Sequence, residues 1–265
     1  SYQFAGACLS IEMSLISFES AGSGSPIVLL HGYIETRYIW HRLRPRLASN
    51  LQVLTPDLPG FGESESLGNS FSLTEVASAM LEWIQTVGLH RPIVIGHSLG
   101  GYVAQEMALL NQDMLGGIGL FHSTMFADSE EKQVNRNRVI EFLSKNPVET
   151  FTNTFVPGLF HQKEHEEIPK LKKLAAGQQA SAIISYAAAM RDRPDYSTQW
   201  LAQITLPTLV IAGTHDTVIP LEISQKMTHF IKNPSFCVLP ESGHMGFFEN
   251  EEESLEAIKL FLYAL

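Results

Sequence analysis

Gly96-His97-Ser98-Leu99-Gly100 has the form G-x-S-x-G, and the residues on either side of it decide the fold. Pro92-Ile93-Val94-Ile95 is a short, apolar, β-branched run that reads as a buried strand. Gly101 to Leu110 reads as a helix with a mostly apolar face. A serine between the two sits at a strand-to-helix turn, in a tight, strained backbone that presents its hydroxyl outward. The glycines two residues before and two after leave room for that turn, because a Cβ there would clash. The helix that follows aims its free N-terminal N–H groups at the place where negative charge would develop.

Short apolar runs recur on both sides. Ile27-Val28-Leu29-Leu30 is a strand ending in His31-Gly32. Val53–Thr55, Ile118–Phe121, Leu209–Ala212 and Phe236–Leu239 read as further strands, and Leu9 to Phe18 as an edge strand or hairpin. Helical spacing runs over 37–49, Leu73–Val87 with Ser72 or Thr74 as cap, Ile223–Ile231 and Ser254–Leu265. Strands alternating with helices predict an α/β fold, a mainly parallel sheet covered on both faces. Residues 123–203 break the rhythm with no β-rich run. Ser129–Ser144 and Pro169–Ala176 are amphipathic, whereas Ala180–Met190 is apolar nearly all round and should be buried. The chain therefore divides into an α/β core, 1–122 and 204–265, and a helical cap, 123–203, inserted between two strands.

The 265 residues suffice for one large domain or a core with an insertion. The net charge of −10 lacks the basic footprint of a nucleic-acid binder, and an anionic membrane surface would repel it. Residues 123–200 hold ten acids and ten bases, so the whole excess lies in the flanks. No apolar run approaches the ~18 residues of a membrane span, and the first thirty residues show no signal-peptide pattern. Two cysteines, Cys8 and Cys237, make no disulfide framework. These features predict a cytoplasmic protein with reduced thiols and a small-molecule substrate, without a nucleic-acid or membrane partner. Oligomeric state is left open.

A serine hydroxyl is a poor nucleophile alone; it needs a base, and the base needs an orienting carboxylate. Strand Phe236–Leu239 leads into Pro240-Glu241-Ser242-Gly243-His244, which offers His244 as base. Strand Leu209–Ala212 leads into Gly213-Thr214-His215-Asp216, which offers Asp216 as acid. Asp57 also follows a strand and is the rival acid, but the Pro-Gly-Phe-Gly after it marks a structural turn; Asp192 and Asp195 lie in the cap. The oxyanion needs two backbone donors, assigned to the N–H groups of Leu99 and Tyr33. His31 and His97 read as loop supports, and His122, at a strand end, as a pocket residue. His161-Gln162-Lys163-Glu164-His165 matches an H-x-x-E-H zinc pattern but lies in a charge-rich stretch without a third ligand, so a solvated helix face is expected. The glycine-rich turn lacks a P-loop lysine and dinucleotide spacing, so neither cofactor nor metal is predicted.

His31-Gly32-Tyr33, Asp57-Leu58-Pro59-Gly60-Phe61-Gly62-Glu63-Ser64, Gly96–Gly101, Gly213–Asp216 and Ser242–His244 together resemble α/β-hydrolase-fold proteins of the capped, HG-motif type, similar to bacterial carboxylesterases. The resemblance implies an eight-stranded, mostly parallel sheet with Ser98, Asp216 and His244 as triad. It also implies that Cys8 and Cys237 lie on strands at opposite sheet edges, unpaired. Serine at the nucleophile position argues against dehalogenase and epoxide hydrolase chemistry, which use aspartate there in similar proteins. The expected reaction is acyl-enzyme hydrolysis of a small, apolar ester, with His122, Met125, Phe126, Tyr186, Met190, Val218 and Met245 as candidate pocket residues. No clustered arginine pair marks a phosphate or dicarboxylate site. Similar proteins turn the same triad on thioesters, lactones and carbon–carbon bonds, or turn over slowly and signal through the cap.

Overall fold

A computed structural model describes residues 15–265; Cys8 and the expected strand residues Leu9–Ser14 lie outside the described residues. Seven strands form one sheet: β1 (Phe18–Ala21), β2 (Ser25–Leu30), β3 (Leu51–Pro56), β4 (Ile93–His97), β5 (Gly117–Phe121), β6 (Thr208–Gly213) and β7 (Ser235–Leu239). Their order is β1-β3-β2-β4-β5-β6-β7, with β1 antiparallel to β3 and every other pair parallel. The sheet thus has seven strands among the described residues, where the resemblance implies eight. Every residue of β5 and β6 is buried. Because side chains alternate across a strand, burial throughout means cover on both faces. Cys237 lies on edge strand β7 with a free thiol.

Among the described residues three α-helices precede β5: α1 (Leu43–Leu47), α2 (Leu73–Val87) and α3 (Leu99–Asn111). The expected helix over 37–49 is broken into a 3-10 turn, Arg37–Trp40, and α1. Pro45 is the reason: it lacks an N–H, and its ring collides with the carbonyl four residues back. Helix α2 begins at a reciprocal capping box, with Glu75 N–H on Ser72 Oγ at 3.2 Å and Ser72 N–H on Glu75 Oε2 at 2.7 Å. It ends at Gly88 in left-handed conformation, φ 78°. Between β5 and β6 the chain makes five helices: α4 (Glu130–Leu143), α5 (Val148–Gly158), α6 (Ile168–Ala176), α7 (Ala180–Asp192) and α8 (Ser197–Gln203). Helix α4 packs on α7 and α5 on α6. As its composition predicts, α7 buries most of its circumference. After β6 come α9 (Leu221–Met227), α10 (Gly246–Glu249) and α11 (Glu251–Tyr263), the last against α1, β6 and β7.

Candidate active site

Ser98 stands between β4 and α3 with φ 49° and ψ −111°, a left-handed backbone that costs about 1–3 kcal/mol for a non-glycine residue. Its surroundings hold the strain in place. Ser98 N–H donates to the Phe121 carbonyl at 2.9 Å, and Ser123 Oγ donates to the Ser98 carbonyl at 2.8 Å. The flanking glycines are required by close backbone approach. A Cβ on Gly96 would stand 2.1 Å from the Gly100 carbonyl carbon, and one on Gly100 would stand 2.5 Å from the His31 oxygen. Leu99 opens α3, where the first N–H groups have no intrahelical acceptor.

Asp216 follows β6 in a buried loop. Its Oδ1 accepts from the N–H groups of Val218 at 2.8 Å and Ile219 at 3.0 Å. Its Oδ2 lies 2.9 Å from His244 Nδ1 and 3.1 Å from His122 Nδ1. Burial alone would raise the carboxyl's pKa, but the charge and hydrogen bond of His244, with the His122 contact, outweigh it and hold Asp216 well below the usual carboxylate range. His122 is fully buried behind Asp216 rather than on a cavity wall. Its Nε2 accepts from Gly246 N–H at 3.1 Å, so its proton sits on Nδ1, close to Asp216 although poorly aligned for a hydrogen bond. Desolvation pushes its pKa down to about 4.

The loop carrying His244 is fixed at both backbone groups. His244 N–H donates to the Leu159 carbonyl at 2.8 Å, and its own carbonyl receives His97 Nε2 at 2.8 Å. His97 Nδ1 faces Glu35 Oε2 at 2.9 Å. With two acceptors, His97 satisfies both only with a proton on each ring nitrogen. Glu35 also takes the Gly32 N–H at 2.6 Å; burial opposes its charge, yet His97 and these hydrogen bonds keep its pKa low. Neither partner of His97 was foreseen, because Glu35 and the His244 carbonyl carry no local sequence signal for it. His31 supports its loop: Nδ1 donates to the Gly32 carbonyl and Nε2 accepts from Leu58 N–H, each at 2.9 Å. Asp57 ties down the turn after β3, taking Arg37 N–H and Nη1 at 2.7 Å and Glu63 N–H at 3.0 Å.

Ser98 and His244 line one cavity of about 310 Å³, together with Tyr33, Tyr102, Phe155, Leu159, Met190 and Val218. Among the described residues no hydrogen bond joins Ser98 Oγ to His244, a spacing common before substrate binds. Of the expected pocket residues, Met190 and Val218 lie on the cavity wall and the others do not. Tyr186 is fully buried, stacks on Phe61 at 4.7 Å and donates to the Pro59 carbonyl at 2.7 Å, fastening α7 to the turn after β3. Met125 is core, and Phe126 packs edge-on against Phe230. Met245 is buried beside a narrow gap next to Tyr33 and Phe155. Three charged residues on the cavity wall carry no assignment from the sequence: Glu35, held by His97 and Gly32 N–H, and Lys132 and Arg136 of α4.

The H-x-x-E-H stretch lies in turns, not on a helix. His165 packs against Phe160, ring centroids 5.2 Å apart, while His161 stacks face to face on His215 at 3.8 Å. Glu241 approaches the latter pair. Imidazole lone pairs lie in the ring plane, and two planes parallel within 8° hold no single ion in both. This stacked pair therefore does not fit a metal centre.

A strained serine at a helix N-terminus shares its cavity with a histidine backed by a carboxylate, an arrangement that fits the hydrolase class. The family model described as "Alpha/beta hydrolase family" matches residues 27–257, and the chain belongs to that family. A thermophilic esterase from Thermogutta terrifontis, solved with malate bound, superposes with a TM-score of 0.88 at 30% identity, covering 94% of this chain and 93% of that one. A pimeloyl-[acyl-carrier protein] methyl ester esterase of Aliivibrio salmonicida is 24% identical over 92% of this chain and 95% of its own length. The acetyltransferase component of an acetoin-cleaving system from Pseudomonas putida is 28% identical over 92% of this chain, which spans 65% of that protein's length. Esterases and hydrolases among the relatives support a hydrolase. No helix among the described residues is long and apolar enough to cross a membrane.

Proposed function

We propose that the chain is a serine esterase acting through an acyl-enzyme on a small ester. The observation that carries this is the contact of His244 Nδ1 with the Asp216 carboxylate at 2.9 Å, beside a cavity that His244 shares with the strained Ser98. A proton on Nδ1 leaves Nε2 free to act as base. His244 takes the Ser98 proton as Oγ attacks the ester carbonyl carbon. The N–H groups of Leu99 and Tyr33 hold the oxyanion, each donor worth roughly 10²–10³-fold in rate. Collapse breaks the ester C–O bond, and His244 hands the proton to the departing alcohol. Water deprotonated by His244 then attacks the acyl-enzyme, releasing the acid and restoring Ser98. Residues 123–203 act as the cap, supplying Phe155, Leu159 and Met190 to the cavity wall.

The test is hydrolysis of nitrophenyl esters, from acetyl to long acyl, by the native chain and Ser98→Ala side by side. Multiple turnovers that vanish in the variant are expected, with short acyl chains preferred because the cavity lies at the small end of ligand sites. Turnover surviving in Ser98→Ala refutes the mechanism.

A further inference from the structure

Lys132 and Arg136 are one helical turn apart on α4, so they share a face. That face turns inward: Lys132, Gln133, Arg136, Val139 and Ile140 are half-buried and Leu143 is buried, while most of the helix is exposed. Lysine and arginine at such positions ordinarily carry their charges out to water. Here both line the cavity that holds Ser98.

The anions nearby are already engaged. Asp128 accepts Arg136 Nε at 3.0 Å on one oxygen and Arg193 Nη1 at 2.8 Å on the other. Glu35 is held by His97 and Gly32, and Asp216 by His244 and two backbone N–H groups. Lys132 Nζ donates to the Val218 carbonyl at 3.1 Å, and among the described residues it has no carboxylate within ion-pair distance. Burial accordingly lowers the pKa of its ammonium, against the attraction of Asp128 and Asp216. The terminal nitrogens of Arg136 carry no hydrogen bond among the described residues. Three cations thus face one carboxylate, and two of the three border a cavity whose remaining wall is largely apolar.

A half-desolvated ammonium without a counter-charge is costly, and a ligand carboxylate offsets that cost. We propose that the cavity selects an ester that also carries its own carboxylate, seated on Lys132 and Arg136 while the ester carbonyl lies at Ser98. The proposal rests on the esterase reading for its chemistry, but its anion site does not need that reading. It replaces the purely apolar substrate that the sequence suggests.

The experiment compares the mono-p-nitrophenyl ester of glutaric acid with p-nitrophenyl pentanoate, which has the same chain length and ends in a methyl group. The native chain should favour the charged ester by about tenfold or more in kcat/KM, the scale of one charge-assisted hydrogen bond. Lys132→Met should collapse that ratio, chiefly through KM of the charged ester, and Lys132→Gln should do the same if the methionine variant folds poorly. Binding of free succinate, glutarate and adipate is measured in parallel by calorimetry on the native chain and both variants. A native preference for the neutral ester, or a ratio unchanged by both substitutions, overturns the proposal. If neither ester is cleaved, the esterase reading falls; dicarboxylate binding lost in the Lys132 variants would still sustain the anion site, and absence of binding would remove it.

Discussion

Replacing Asp216 by asparagine keeps the shape of the side chain and removes one acceptor. The native carboxylate meets four N–H groups, two from the backbone on Oδ1 and two imidazoles at Oδ2. The amide has one oxygen, and the two backbone donors, which cannot rotate away, keep it. The amide NH₂ then faces both rings. His122 cannot accept on Nδ1, because its Nε2 is engaged by Gly246 N–H and its proton therefore sits on Nδ1. His244 can accept on Nδ1 only by moving its proton to Nε2, the atom needed as base. The wrong tautomer costs about 10⁴-fold in kcat in serine hydrolases, with little change in KM. Loss of charge-assisted hydrogen bonding, at ~1.5–3 kcal/mol per bond, should destabilise the fold by about 3 kcal/mol. That corresponds to a melting point lower by roughly 6–12 °C for a chain of this size. Nitrophenyl ester kinetics well below the transition, with thermal melts of the same samples, read both quantities. Asp57→Asn is the control: its partners are Arg37 and Glu63, so it should lower the melting point and leave kcat within a few-fold. Asp216→Asn retaining more than a tenth of native kcat, or Asp57→Asn losing as much as Asp216→Asn, would refute the assignment of the acid.

His122 makes stability depend on pH. The unfolded chain protonates this ring below about pH 6.5, whereas the buried ring resists until about 4, so the unfolded state binds more protons in between and stability decreases as the pH is lowered across that window. The loss is about 3 kcal/mol by pH 4, and His122→Gln should flatten it; urea unfolding at pH 7, 5.5 and 4 with an unchanged slope would contradict this. Gly100→Ala places a Cβ 2.5 Å and 2.7 Å from the His31 and Leu30 carbonyl oxygens. Helix α3 must retreat, at ~1–3 kcal/mol, and a shift of the Ser98 turn should lower kcat by up to about 10²-fold; native kcat would show that the close approach is dispensable. Glu35→Gln weakens the hold of His97 on the His244 carbonyl, so kcat should fall about tenfold and amide exchange in the 240–245 loop should quicken. Unchanged exchange would remove His97 from the support of the base.

Where structure is encoded locally, it was legible. Each core strand is a short apolar run, and α2 could be bounded at both ends because Ser72, Glu75 and Gly88 write the caps into neighbouring residues. Helix α5 lacks such marks: Val148–Gly158 contains three threonines, an asparagine and a proline, weak formers held by packing on α6. The strand-end positions of Ser98, Asp216 and His244 follow from turn chemistry. The pocket did not, because an apolar residue on a helix serves packing or a ligand with the same pattern. Tyr186 serves packing, through Phe61 and the Pro59 carbonyl, and Met190 lines the cavity, four residues along the same helix. His122 carried only the signal of a strand end, which does not say whether the ring faces a cavity or the back of a carboxylate. Lys132 and Arg136 were visible as charges, but which side of α4 faces inward is set by its packing on α7, which begins only at Ala180, beyond the reach of any local pattern.

Net charge is a poor guide to the sign of the ligand here, for a physical reason. The chain is acidic by ten charges, yet residues 123–200 are balanced. Within that balanced segment the charges are sorted by direction. Acids such as Glu130, Glu131, Glu141 and Glu149 are exposed, while Lys132, Arg136 and Arg193 turn inward around Asp128. Salt screens exposed charges beyond about 8 Å at physiological ionic strength, so the acidic exterior acts weakly on an approaching anion. Inside the cavity the effective dielectric is lower, and a cation at contact distance interacts several times more strongly than the same pair in water. Two inward cations therefore outweigh a larger number of outward acids for a ligand at Ser98. The exterior charge affects how fast an anion arrives; the inner face of α4 governs how well it is held.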